Sequence, residues 1–201
     1  MRTEVITIET YTRKSREERL EEIKQAAQKV FLRKGFKDTN MEDIINETTL
    51  SKGGFYYYFK NTKEIYFAIL EEKSDNTIAY LGQMFADNQD TIGEVVDYLA
   101  ESIFEDFAER RLFLMGLYES YYDNDFMEKF RLIQEKYVDL TVNIIIEKHP
   151  DMGKEKLREK INFLYTLYHA FVINCNMMAG KNIYKRNKKY LKDLFIDILR
   201  D

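Results

Sequence analysis

The sequence predicts an all-α protein: a small N-terminal domain of three helices joined to a larger C-terminal helical domain, about nine helices in all. Apolar residues recur at three- and four-residue spacing along most of the chain, the period of a helix with one buried face. The single proline, Pro150, and the eight glycines fall mainly where helices should stop. Alternation of the strand kind appears only at residues 4–10, where polar residues interrupt Val5, Ile6 and Ile8, and we read that stretch as a tail.

The elements follow in order. Leu20, Ile23, Ala27, Val30 and Phe31 form the inner face of a first helix, with Gly35 at its C-terminal cap. Asn40 caps a short second helix whose inner face is Met41, Ile44, Ile45 and Thr48. Ser51 caps a third, about as short, that turns Phe55 and Phe59 inward. Asn61 with Glu64 resembles a capping box and opens a longer helix through Ile65, Ile69 and Leu70. Residues 87–90 and Gly93 mark a break before a helix carrying Val95, Leu99, Ile103 and Phe107. The next spans roughly residues 112–122, and Phe126, Phe130, Ile133, Tyr137, Leu140 and Ile144 make a long clean stripe closed at residues 149–153. The last two helices run about 155–180 and 187–200, with Gly180 near the junction.

Composition narrows the function classes. An apolar fraction of 45% argues for a packed core, and 33% charged residues argue for a well-solvated surface. One cysteine, Cys175, excludes an internal disulfide framework and fits a reducing, cytoplasmic setting. With only His149 and His169 beside it, a His/Cys metal site is not expected, and neither is a cofactor. The chain has no apolar run of transmembrane length and no signal-peptide core near its start, so no membrane role is expected. Charge is uneven. Residues 13–63 carry 12 Lys/Arg against eight Asp/Glu, and residues 64–201 carry 18 against 25. A basic head on an acidic body is the asymmetry expected where one part meets phosphate.

Residues 41–59, MEDIINETTLSKGGFYYYF, place two short helices around a tight turn. A recognition helix offers its N-terminal end and one face to the major groove. Ser51 and the amides after it can meet a phosphate, helped by the helix dipole, and Lys52 adds a cation there. Gly53 and Gly54 expose backbone where a side chain would hold DNA away, at a helix-propensity cost of about 1 kcal/mol each. Tyr56, Tyr57 and Tyr58 are consecutive, so they fan around the helix and cannot all enter one core. An exposed phenol can donate to a phosphate oxygen or pack on a sugar or thymine methyl.

Across roughly residues 16–70 this pattern resembles the N-terminal DNA-binding domain of the TetR family. The matching positions are Gly35-Phe36, Thr39, Asp43-Ile44, Ser51-Lys52-Gly53, Phe55-Tyr56-Tyr57-Tyr58-Phe59 and Lys60-Asn61-Thr62-Lys63-Glu64. The chain departs from the family at Thr49, where the turn usually has Gly; at Gly54, where Thr or Ser is common; and at Thr62, where the link often has Lys. The resemblance implies an N-terminal arm over residues 1–15, a helix-turn-helix domain over 16–62, and a regulatory and dimerisation domain over 63–201. It implies DNA contacts from Lys52, Gly53, Gly54, Tyr56, Tyr57 and Tyr58, with Asn40 and Lys60 as phosphate contacts beside the Ser51 already placed at the helix start. The basic segment Arg13-Lys14-Ser15-Arg16 reads either as a groove-reaching arm or as a solvated tail.

The expected partners are double-stranded operator DNA, a second copy of the chain and an unidentified small-molecule effector. The resemblance implies a homodimer through the last two helices. Tyr190, Leu191, Leu194, Phe195, Ile198 and Leu199 give the terminal helix a face broad enough for that, although an intrasubunit core would also explain it. The resemblance also implies a ligand among the middle helices that shifts the heads out of register. Candidate lining residues are Phe104, Tyr118, Tyr122, Tyr137, Tyr165 and His169, within an aromatic set that includes Phe107, Tyr121 and Tyr168. Asn162, Thr166, His169 and Asn176 fall near one stripe that can line a pocket, meet a partner or face water. No phosphate loop or nucleophile motif is present, so an enzyme is not expected. The competing reading is a helical small-molecule-binding protein without a DNA role.

Overall fold

The computed structural model describes residues 14–86, 91–104, 108–177 and 181–200. All regular structure in these residues is helical. The chain divides into two compact units, with the boundary between Tyr66 and Phe67.

The N-terminal unit holds α1 (Arg16–Lys34), α2 (Met41–Ile45), α3 (Lys52–Tyr58) and the first turns of α4 (Thr62–Ala86). A capping box opens α1: Ser15 Oγ accepts from Glu18 N, and the Glu18 carboxylate accepts from Ser15 N. Glu17 and Glu18 in the first turn and Arg33 and Lys34 in the last complement the helix dipole. The helix stops because Gly35 takes φ +86°, a conformation L side chains avoid, while its N–H still reaches Phe31 O at 2.8 Å. Ile23, Ala26, Ala27, Val30 and Phe31 are buried at helical spacing. Against this side of the unit sit Ile44, Phe55, Phe59, Ile65 and Tyr66, all buried. Tyr66 meets Phe31 edge-on, with ring centroids 5.0 Å apart.

The second helix is shorter than the sequence led us to expect. It ends at Ile45; only Ile44 is fully buried, and Thr48 lies beyond it with its hydroxyl on Ile45 O.

In the C-terminal unit the rest of α4 is followed by α5 (Thr91–Ser102), α6 (Ala108–Ser120), α7 (Asn124–Lys148), α8 (Lys154–Met177), α9 (Lys181–Arg186) and α10 (Lys188–Arg200). Among the described residues this makes ten α-helices; the unforeseen one is α9, cut from α10 at Asn187. Helix α6 also starts four residues earlier than expected, at Ala108. After α7, Pro150 opens a 3-10 turn, Pro150–Met152, and Gly153 at φ +71° leads into α8. One continuous core runs through this unit, with Val95, Val96, Leu99, Val142, Ile145, Ile161, Leu164 and Phe195 at its centre. The face of α10 divides: Leu191, Phe195 and Leu199 are buried at four-residue spacing, while Tyr190 and Leu194 point outward.

No helix among the described residues is long and apolar enough to cross a membrane. Residues 1–13, 87–90, Phe107, Gly180 and the Asn176 side chain, on which parts of the sequence reading fell, lie outside the described residues.

Candidate nucleic-acid interface

Helix α3 begins where Ser51 Oγ accepts from Gly54 N at 3.3 Å, which leaves the amides before Gly54 facing out of the cap. Lys52 and Gly53 are exposed and Gly54 is half-buried. A Cβ added at Gly53 would meet nothing within 4 Å, whereas one at Gly54 would lie 3.3 Å from Ser51 Oγ and crowd the cap. The two glycines therefore have different reasons to be there. Gly54 makes room for its own helix start; Gly53 meets no constraint within the fold.

Along the helix Phe55 is fully buried and Phe59 closes the same face. Tyr57 stands 73% exposed, Tyr56 and Tyr58 are half-buried, and the Tyr57 and Tyr58 rings meet edge-on at 5.2 Å. None of the three phenols is sequestered. Lys52 Nζ sits 2.7 Å from Glu42 on α2, and both side chains are well exposed. Such a pair is worth little in water, so the ammonium is available to a stronger anion. That contact also brings the opening turns of α2 and α3 together, with Asn40 capping the first: Asn40 Oδ1 accepts from Asp43 N at 2.9 Å and Asp43 Oδ2 from Asn40 N at 3.0 Å. Lys60 lies at the other end of α3, where its Nζ donates to Tyr56 O at 2.8 Å, a favourable place beside a helix C-terminus. Of the basic segment before α1, Lys14 is tied to Glu22, Ser15 is the cap and Arg16 is already helical.

A feature the sequence did not reveal holds the turn between α2 and α3. Glu22 on α1 accepts four hydrogen bonds. Thr49 supplies two to Oε1, from its N–H at 2.7 Å and its hydroxyl at 2.6 Å. Lys14 Nζ and Arg19 Nη1 supply two to Oε2, at 3.0 and 2.8 Å. Burial alone would raise the Glu22 pKa, but the Thr49 bonds and the two cations outweigh it and bring it down to about 2. Thr49 thus gives the turn a hydroxyl anchor that glycine lacks. The departure from the family's usual residue has a local reason.

Residues 23–69 match the family model for bacterial regulatory proteins of the tetR family. The N-terminal unit is thus a DNA-binding domain of the TetR type. Over 90 residues, 45% of this chain, it is 37% identical to YfiR, an HTH-type transcriptional regulator of Bacillus subtilis. The chain spans 43% of that relative's length. Two solved structures share the fold across nearly the whole chain. GusR of Salmonella enterica is similar with a TM-score of 0.71 at 16% identity, covering 90% of this chain and 95% of its own. The fatty acid degradation regulator FadR of Bacillus halodurans is similar with a TM-score of 0.72 at 16% identity, covering 94% and 99%. At that identity the likeness is one of fold alone.

The C-terminal unit brings some of the expected ligand-lining residues together and not others. Tyr137, Tyr165 and His169 form one group: Tyr165 lies 6.3 Å from both the Tyr137 and His169 rings, and its hydroxyl pairs with Thr141 Oγ1 at 3.1 Å. Burial drives the pKa values of Tyr137 and Tyr165 upward, that of Tyr165 well above the phenol range, so both stay neutral. Phe104 packs on the margin of the core. Tyr118 and Tyr122 are exposed, and Tyr122 meets Tyr118 and Tyr121 edge-on in a separate surface group. On α8, Asn162 and Thr166 are exposed beside Phe163, while His169 turns inward. Burial, then the nearby Arg110 charge, holds the His169 pKa down to about 4. Sequence reasoning passed over Arg110, Phe113 and Ser102, which join this group. Arg110, Phe113, Leu114 and Leu117 share one helical face, and that spacing was the available signal that Arg110 points inward.

Proposed function

We propose that the protein is a ligand-responsive transcriptional regulator that binds a palindromic operator as a homodimer, acting as a repressor that an effector releases. The observation that carries this reading is the open start of α3. Exposed Lys52 and Gly53, with Tyr57 projecting and Tyr56 and Tyr58 half-exposed, form a helix end that a duplex can approach closely. In this reading Lys52, Gly53, Gly54, Tyr56, Tyr57 and Tyr58 meet the duplex, with Ser51 and Asn40 at phosphates beside the two helix starts. Lys60 contacts a neighbouring phosphate from the far end of α3. One such head buries too little for tight specific binding, so two heads must read two half-sites a helical turn apart. Phe163 on α8, Ile183 on α9 and Tyr190 and Leu194 on α10 are large exposed apolar residues, and a second copy covering them supports the dimer. Release by an effector follows the family's habit and draws support from the polar and aromatic group around His169.

The test is selection from a random duplex library, followed by titration of the enriched sequence at several salt concentrations. An inverted repeat whose affinity falls steeply with salt is expected. Recovery of no enriched sequence, or of one bound without salt dependence, overturns the reading in favour of a ligand-binding protein with no DNA role.

A further inference from the structure

The guanidinium of Arg110 is enclosed within the C-terminal unit. Its Nη1 is shut off from solvent and has no hydrogen-bond partner among the described residues. Nη2 reaches Tyr168 Oη at 3.3 Å, a long bond to an uncharged group, and among the described residues no carboxylate pairs with this arginine. Arginine cannot shed its proton, so the charge stays. The neighbouring hydroxyls offer no relief. Ser102 Oγ donates to Leu99 O at 3.0 Å, so at 3.1 Å it must accept from Tyr168 Oη, which in turn accepts from Arg110. Every proton in this relay runs away from Arg110, and among the described residues no negatively charged acceptor meets it.

His169, the residue after Tyr168 on α8, stands in the same place. Phe113, Tyr165 and Tyr168 surround it at ring distances of 5.4, 6.3 and 5.5 Å, and it hydrogen-bonds to no described residue. Neutral at physiological pH, it has an N–H to give. Beyond it the surroundings become apolar and aromatic: Phe113 meets Phe130 at 5.0 Å, and Tyr165 lies on the other side.

We propose that Arg110 and His169 bind the carboxylate of an anionic effector whose apolar body lies along Phe113, Phe130 and Tyr165, with Tyr168 positioning the Arg110 guanidinium. This rests on the reading of the C-terminal unit as effector-binding and specifies the effector's chemistry. A carboxylate supplies what the group lacks: two acceptor oxygens in the geometry a guanidinium fork prefers, and the missing charge. An amide offers a single neutral acceptor and leaves the guanidinium charge uncompensated.

The experiment titrates the full-length chain with 3-phenylpropionate and with decanoate, and with the corresponding amides, 3-phenylpropionamide and decanamide. Calorimetry reads affinity. Because the chain has two histidines, proton NMR on a His149→Gln background follows the His169 ring alone. Saturable binding of at least one carboxylate is expected, at least about tenfold tighter than its amide, with the His169 titration moving upward as the anion offsets Arg110. In Arg110→Met that affinity should fall at least about thirtyfold, while Tm without ligand holds or rises because an uncompensated buried charge is gone. Amides binding as well as acids, neither carboxylate saturating, or an unmoved His169 resonance would each overturn the proposal. So would undiminished binding by Arg110→Met. The acid–amide comparison needs no variant, so it stands even if that substitution fails to fold. Operator binding by the unliganded wild-type chain is measured separately: its absence overturns the regulator reading and leaves the carboxylate result intact.

Discussion

A phenol hydroxyl that faces solvent contributes little to a fold, so its removal isolates what it does for a ligand. Tyr56→Phe is expected to leave Tm unchanged while weakening affinity for the selected inverted repeat several-fold, about 1 kcal/mol for one hydrogen bond; equal affinity would count against a phosphate contact at this position. His169 is a second case where one group can be read alone. Its imidazole titrates near 6.5 when free and about 4 in the fold. Between those values the unfolded chain holds a proton that the folded chain refuses, so stability is complete above about pH 6.5 and declines as pH falls toward 4. The full difference is on the order of 3 kcal/mol. Urea unfolding at pH 6.5 and 4.5 should show a loss in the wild type that His169→Gln largely removes. A parallel slope in both would mean that the ring is not sheltered.

Among the elements, the turn between α2 and α3 is held from outside itself. Glu22 fixes Thr49 from α1, so its loss should loosen the angle at which α3 is presented, beyond the cost to the fold. Glu22→Gln is expected to destabilise by about 1–2 kcal/mol at neutral pH and to weaken operator binding further than the Tm loss explains. Its carboxylate contribution is complete above pH 4.5 and disappears as pH falls toward 2, a window below that of His169.

The helices themselves were legible because their signals are local. Asn40, Ser51 and Asn61 cap where they stand in sequence, and Gly35 stops α1 through its own φ, whereas Ser15, read as part of the basic arm, proved to be the cap of α1. Glu22–Thr49 was not legible, since 27 residues separate the partners and neither breaks a helical pattern. The aromatic set in the middle helices was visible only as composition. Period alone did not say that Tyr165 would be buried while Tyr118 stayed at the surface, because both lie on helices with mixed faces. The start of α9 fell in a polar stretch with no apolar face long enough to announce it.

At the scale of the molecule, operator binding as proposed requires two copies and a duplex. Residues 13–63 are net basic and residues 64–201 net acidic, so the head alone should supply the electrostatic attraction. Phe163→Glu combined with Leu194→Glu places like charges on the exposed apolar faces of α8 and α10 without touching Phe195 or Leu164 in the core. Sedimentation should then report a monomer, with affinity for the inverted repeat at least about a hundredfold weaker and affinity for random DNA little changed. A dimer surviving both changes would place the interface elsewhere.

In the proposed complex backbone at the start of α3 lies against the duplex, and Gly53→Ala tests that contact. The added methyl meets open space in the free protein, and alanine favours a helix over glycine by up to about 1 kcal/mol. Stability of the variant should therefore hold or rise. Affinity for the selected operator, measured by fluorescence anisotropy on the same samples, should fall at least about tenfold, roughly 1.4 kcal/mol. A variant that is as stable as the wild type and binds the operator equally well would contradict the account.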